Sequence, residues 1–342
     1  AHKARAEVDQ GIDVAAARQE ARADAKNTVQ ALVEEWYARE IKARHQHPAV
    51  VRRVLDNDIL PTLGRTQCTK ITPRQCDAVL RSLVDRGAPT TANKALRYMD
   101  RAFRYGRKRR YLEYNPVADF TVDDAGGKTK PRTRALSTDE LRTLFKTLRE
   151  TPNFGCDHEL AFKILLATCV RKGELVSARW DTIDFEQRLW HLRDTKTRTA
   201  LDIPLADPVL AWFQALSTFA AGSDYVLPTR LIVKRRAGRV IESRVPHISP
   251  STLNSALKRV KHGLEHFTIH DMRRTARTHL AALGVSREVA ERALNHKLGG
   301  VEGIYNVHDY FQERRHALSL WADLLVSLDR DDPPKVVPLR AG

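Results

Sequence analysis

The chain has 342 residues, 42% of them hydrophobic and 29% charged, with 58 Lys and Arg against 42 Asp and Glu and a formal net charge of +16. That length supports two domains, each with its own core, and the basic balance favours a polyanionic partner. The longest apolar run, Ile164–Val170, is too short to cross a bilayer, and no signal peptide is legible, so the expectation is a cytoplasmic protein with no membrane partner.

The charge is uneven: residues 1–134 hold 27 Lys and Arg against 17 Asp and Glu, and residues 135–342 hold 31 against 25. Residues 1–27 read as a solvated helical linker rich in Ala, Arg and Glu. An all-helical unit is expected over 28–118. Asn27 or Thr28 caps its first helix, Val29–Ala43, whose apolar face is Leu32, Val33, Trp36 and Tyr37. Pro48 and Pro61 bracket a second helix near Ala49–Ile59, and a third follows Thr72-Pro73. In the fourth, near Thr91–Arg110, Leu96, Met99 and Phe103 form a core stripe. Arg97, Arg101, Arg104 and Lys108 recur at i, i+4, i+7 and i+11, a cationic ridge suited to phosphate contacts.

Residues 119–134, with Gly126-Gly127, Pro131 and scattered basic side chains, carry the composition of an interdomain linker. A second domain is expected over 135–328. Ser137 and Glu140 stand in capping-box register, and a buried helix is predicted near His158–Cys169. Strand-like segments follow at Ala178–Phe185, Arg188–Leu192 and Ala200–Pro204, predicting a small antiparallel sheet in a mainly α fold. Residues 222–250 read as a basic loop. Helices are predicted at Ser251–His262, Asp271–Leu283, Ser286–Leu294 and Tyr310–Leu328, the last with an apolar stripe of Leu318, Trp321, Leu324 and Leu325. Residues 329–342 read as a disordered tail. Cys68, Cys76, Cys156 and Cys169 form no CxxC pair and have no neighbouring His at zinc-finger spacing, so free thiols and no metal are expected.

The chemistry concentrates in Arg171, Lys196, His270, Arg273, His296 and Tyr305. His270 and Arg273, three apart at a helix start, can point to one side. Transfer of a phosphodiester to a protein nucleophile needs the non-bridging oxygens neutralised, which two forked, permanently charged arginines do well. A tyrosine nucleophile must lose its proton, at a cost of about 4 kcal/mol at pH 7, and nearby Arg and His lower that cost or accept the proton. The leaving oxygen must gain a proton, which a mobile lysine can deliver. None of this needs a metal or another cofactor.

Thr168–Leu175 (TCVRKGEL), Lys196–Leu205 (KTRTALDIPL), His270–Thr275 (HDMRRT), Leu294–His296 (LNH) and Tyr305 resemble, in order, the motif set of the tyrosine recombinase (phage integrase) family. Tyr305 through Tyr310 with Glu313-Arg314-Arg315, and the stretch Gly11–Ala16, resemble the prophage and genomic-island integrases. The resemblance implies a helical core-site-binding domain joined to a mixed α/β catalytic domain, clamping DNA from two sides. It implies site-specific recombination that integrates or excises a mobile element through a 3′-phosphotyrosyl bond at Tyr305, without ATP. Arg171 and Arg273 would clamp the phosphate, Lys196 would be the general acid, His270 would assist proton transfer, His296 would bond the phosphate and Glu174 would support the arginine site. The implied partners are double-stranded attachment sites in the bacterial nucleoid, other copies of the chain in a tetrameric synapse and DNA-bending or excision accessory proteins. The helix Tyr310–Leu328 has two places to pack, its own domain or a neighbour, and the resemblance implies exchange between protomers in that synapse. An N-terminal arm-site-binding domain, usual in the subgroup, is not among these residues. Asn295 stands where the family commonly has Gly, which puts the local turn in question.

Two other readings account for part of the pattern. His279–Leu294 resembles a loose helix-turn-helix, which suggests a DNA-binding regulator without chemistry, but that leaves Arg171, Lys196 and Tyr305 unexplained. A type IB topoisomerase would use the same nucleophile and clamp and would relax supercoils without exchanging strands between sites. Tyr310 is the rival phenol and reads as a packing residue. His279, His308 and His316 read as ordinary structural histidines.

Overall fold

The computed structural model describes residues 27–193, 200–229, 246–296, 306 and 308–330, with backbone alone for 233–236 and 239–242. The chain divides into two compact units, Ala1–Pro131 and Arg132–Gly342.

In the first unit, Thr28 caps α1 (Val29–Trp36) by accepting from the Ala31 N–H at 3.2 Å. Val29, Leu32, Val33 and Trp36 turn one apolar face inward. The helix continues as a π turn, Tyr37–Ile41. Helix α2 (Pro48–Val54) runs through another π turn, Leu55–Ile59, into α3 (Leu60–Leu63). Pro61 thus lies inside a helical run and does not close one. The wider turn just before it absorbs a residue that has no N–H to give and whose ring crowds the preceding turn. Helix α4 (Pro73–Asp85) opens with a Thr72–Gln75 capping box.

Helix α5 (Pro89–Lys108) buries Leu96, Met99 and Phe103. At Gly106 a Cβ would stand 2.7 Å from a Leu32 methyl, so glycine is what allows α5 to lie close against α1. Part of the stretch with linker composition folds onto this unit. Asn93 donates to the Gly127 carbonyl at 2.8 Å and accepts from the Gly126 N–H at 2.9 Å, while Ala125 is buried and Phe120 packs on the core.

The second unit is built around α7 (Cys156–Thr168), buried continuously from Leu160 to Thr168. Before it, α6 (Thr138–Glu150) starts from the Ser137–Glu140 capping box. After it come α8 (Lys172–Val176) and an antiparallel sheet of β1 (Ile183–Asp184), β2 (Leu189–Leu192) and β3 (Leu201–Pro204), paired in that order. The first strand is shorter than its sequence suggests because Trp180–Thr182 winds into a 3-10 turn. Helix α9 (Asp207–Phe219) follows.

The stretch expected to be loop carries a second hairpin, β4 (Val233–Arg236) with β5 (Arg239–Glu242). Its basic residues hid the strand-forming Val233, Val240 and Ile241. Then come α10 (Pro250–Arg259), α11 (Ile269–Ala282), α12 (Arg287–Ala293) and α13 (Phe311–Arg330).

Helix α13 belongs to the core of its own unit. Trp321 is fully buried and donates its indole N–H to the Leu166 carbonyl at 2.8 Å, alongside buried Leu318, Ala322, Leu325 and Leu328. Within the single chain, α13 therefore packs on its own domain. The tail reading is corrected at its start. Asp329 and Arg330 are helical, and the Asp329 carboxylate receives Lys163 Nζ at 2.7 Å and the Arg149 guanidinium. Residues 331–342, and 1–26 of the N-terminal linker reading, lie outside the described residues. Among the described residues, no helix is long and apolar enough to cross a membrane.

Candidate active site

Three short backbone features position Arg171, His270, Arg273 and His296. The first is the end of α7. Cys169 closes the helix in the left-handed conformation (φ 57°), an uncommon choice for a buried non-glycine residue. The chain then turns through Val170 to Arg171, the N-cap of α8. Glu174, buried, accepts the Arg171 N–H at 2.7 Å and its guanidinium at 3.0 Å, so one carboxylate caps the helix and sets the arginine. Arg171 Nη2 also points to the Asn295 carbonyl, at 3.4 Å.

The second feature is the start of α11. The Asp271 carboxylate, fully buried, accepts from the Thr268 N–H and hydroxyl at 2.8 and 2.9 Å and from Arg132 at 3.1 Å. That box fixes where the helix begins, with His270 in its first turn and Arg273 one turn on. Arg273 is only 4% exposed. Its Nη1 donates to the Cys169 carbonyl and its Nη2 to the Leu294 carbonyl, with His296 Nε2 at 3.4 Å. Among the described residues, no carboxylate comes within ion-pair distance of Arg273. Burial lowers its pKa, and the neighbouring Arg171 charge lowers it further.

The third feature is the turn after α12. Asn295 sits at φ 50°. Asn is among the few residues beyond Gly that tolerate this region, so the turn survives the departure from the family pattern. It returns His296 towards Arg273, and the His296 Nδ1 meets the Glu291 carboxylate at 2.7 Å.

His270 is exposed at the helix start. Its pKa is lowered, first by desolvation of part of the ring, then by Arg273 and Arg274, with a smaller push from Arg171. It is therefore held neutral near pH 7 and can accept a proton.

Lys196 and Tyr305 lie outside the described residues. The chain just beyond Tyr305 is anchored. Arg292 donates to the Asn306 carbonyl, and Asn306 Nδ2 donates to the Tyr310 hydroxyl at 2.8 Å. Arg314, with no exposed surface, binds the Asp309 carboxylate at 2.7 Å and the Asp202 carbonyl of β3 at 2.8 Å. Tyr310 (φ 54°) packs partly against the core. His279 stacks on Trp321 at 5.1 Å with its Nε2 2.9 Å from the Leu136 carbonyl, which gives it a structural role.

Sequence reasoning missed Glu291, and it placed Arg314 in a family motif without a structural role. Glu291 stands five residues before His296, a separation with no helical register to flag it. Arg314 lies at the start of a helix read for its apolar stripe.

On α5 of the first unit, Arg97, Arg101, Arg104 and Lys108 are all exposed on one face. Arg104 pairs with Asp100 at 2.8 Å. A groove of about 590 Å³ runs beside them, lined by Arg44 with its partner Glu40 and by Arg101, Arg104, Lys108 and Arg109, over Trp36 and Tyr105. Among the described residues, no group of three or more His, Cys, Asp or Glu could hold a metal ion.

Residues 134–312 match the Phage integrase family and residues 29–122 match the Phage integrase central domain. The integrase of Shigella phage Sf6 is 30% identical over 94% of this chain and 81% of its own length. Among solved structures, a lambda integrase dimer bound to a COC′ core site superposes with a TM-score of 0.64 at 19% identity, covering 85% of this chain and 81% of that one. A lambda integrase tetramer bound to a Holliday junction gives 0.63 at 19% identity, covering 83% and 79%. At that identity the two structural likenesses establish the fold.

Proposed function

The chain belongs to the phage integrase family and is a site-specific DNA recombinase, and from that premise we propose that it cuts and rejoins DNA through Tyr305. The observation that carries the reading is Arg273. It is a buried cation held by two backbone carbonyls, beside Arg171 and His296, with no carboxylate in ion-pair range among the described residues. A buried charge without a counter-ion is costly, and a phosphodiester supplies the missing negative charge.

In the proposed reaction, Tyr305 Oη attacks the scissile phosphorus and loses its proton, with neutral His270 assisting. The P–O5′ bond breaks as the P–Oη bond forms, and Lys196 donates a proton to the departing 5′-oxygen. Arg171, Arg273 and His296 hold the non-bridging oxygens, where negative charge builds in the transition state. The product is a 3′-phosphotyrosyl bond and a free 5′-hydroxyl. A 5′-hydroxyl from a partner strand attacks that bond in the reverse sense and restores the tyrosine. The phosphodiester energy is conserved, so neither ATP nor a metal enters.

On this reading residues 28–118 bind the core site through Arg97, Arg101, Arg104 and Lys108, and residues 135–328 carry the chemistry. The DNA partner is a pair of double-stranded attachment sites in a tetrameric synapse, with accessory bending or excision proteins directing the outcome. The test is covalent trapping on nicked suicide duplexes of the attachment site. We expect a phosphotyrosyl peptide at Tyr305 that Tyr305→Phe abolishes. An adduct at Tyr310, or DNA binding with no adduct, would overturn the assignment. Relaxation of any supercoiled plasmid without exchange between sites would point to a topoisomerase.

A further inference from the structure

We propose that Glu291 is a positioning residue for strand cleavage, one that fixes the tautomer and orientation of His296 so that its Nε2 faces Arg273 and the phosphate. The inference rests on the reading of His296 as a phosphate ligand.

The two carboxylate oxygens of Glu291 have separate partners. Oε2 meets His296 Nδ1 at 2.7 Å, and Oε1 accepts from Arg277 Nε at 2.8 Å. The main chain adds a third tie, from the His296 N–H to the Glu291 carbonyl at 3.0 Å. Arg277 lies one helical turn beyond Arg273 on α11, so Glu291 joins α12, the turn carrying His296 and the helix carrying Arg273. Burial raises the Glu291 pKa, but the Arg277 and His296 hydrogen bonds outweigh it, and the net effect is a lowered pKa.

An ionised carboxylate only accepts hydrogen bonds, so His296 Nδ1 must carry the proton. In the neutral ring the lone pair is then on Nε2, where Arg273 Nη2 donates at 3.4 Å. If the ring takes a second proton, Nε2–H donates to a phosphate oxygen while Glu291 balances the charge. Both forms keep the ring in one place. Carboxylate partners of this kind orient imidazoles in other sites, and their loss costs about 10–100-fold in function where the histidine is a metal ligand.

Two measurements test this. The first uses the unmodified protein: ¹⁵N NMR of the His296 ring above its titration is expected to show an Nδ1–H tautomer, and an Nε2–H tautomer would overturn the proposal. The second compares Glu291→Gln in two backgrounds, by single-turnover cleavage of a suicide duplex. Gln can still accept from Arg277 but presents an N–H₂ to His296 Nδ1 and carries no charge, so the ring protonated on both nitrogens, which donates Nε2–H to the phosphate, loses its acceptor and its counter-charge. We expect cleavage slowed by about 10–100-fold with DNA affinity unchanged, and no further loss from Glu291→Gln in a His296→Ala background. Equal losses in both backgrounds would mean that Glu291 only supports the fold, and would sink the idea. If His296→Ala alone left cleavage intact, the reading of His296 as a phosphate ligand would fail, whatever the tautomer.

Discussion

The molecule carries cationic side chains in two contrasting settings. Arg273 is buried, held by backbone carbonyls and tied to one position. Arg97, Arg101, Arg104 and Lys108 are exposed on long side chains along α5. The first arrangement suits a reaction, because charge developing in a transition state is best met by groups that need not reorganise. The second suits binding along a phosphate backbone, where many mobile cations release counterions and none is individually decisive.

Substitutions can break that contrast, and the largest effect belongs to Arg273. Arg273→Gln is expected to cut single-turnover cleavage by about 10²–10³-fold or more. Core-site affinity, measured by gel shift, should change little. Comparable losses in cleavage and binding would mean that Arg273 acts as one more backbone contact. Alanine substitution along the ridge is expected to do the reverse. Each of Arg97, Arg101, Arg104 and Lys108 that contacts a phosphate should lower the log–log salt slope of binding by about 0.9, and cleavage at saturating DNA should stay near normal. An unchanged slope across all four would remove the ridge from the interface.

The smallest effect sharpens the electrostatics within the site. His270 has a lowered pKa, so it is neutral at pH 7, and cleavage should fall only in acid, below the ordinary histidine value of 6.5. Removing a neighbouring cation in Arg274→Gln makes protonation easier. The acid limb of the cleavage–pH profile should then move to higher pH, leaving the variant slower at mildly acid pH and matched to wild type at pH 8. A shift in the opposite direction would exclude His270 as the proton acceptor.

Local signals in the sequence were read well where the physics is local. Thr28, Thr72 and Ser137 cap helices because their side chains reach the first free N–H groups. Leu96, Met99 and Phe103 are buried because helical spacing stacks them on one face. The order of the motifs pointed to Arg171, His270, Arg273 and His296, and the fold gathers Arg171, Arg273 and His296 around the turns at Cys169 and Asn295.

Features that depend on tertiary contacts were not legible. Pro61 looks like a stop until the preceding π turn is seen to accommodate it. Arg314 looks like a surface charge until Asp309 and β3 close over it. Glu291 has no periodic relation to His296, and only the left-handed turn between them brings the two together. The second hairpin was concealed by its own lysines and arginines, which score against a strand whatever the backbone does.

The turn at Asn295 bears on how relatives of this chain should be sought. What the site requires there is the sign of one dihedral angle, and glycine or one of a few residues such as asparagine can supply it at modest strain. A search pattern that demands glycine before the second histidine would discard this chain, although the turn still carries His296 back to Arg273. A pattern written in backbone angles would keep it, and would reject a valine or isoleucine that a simple hydropathy match lets through.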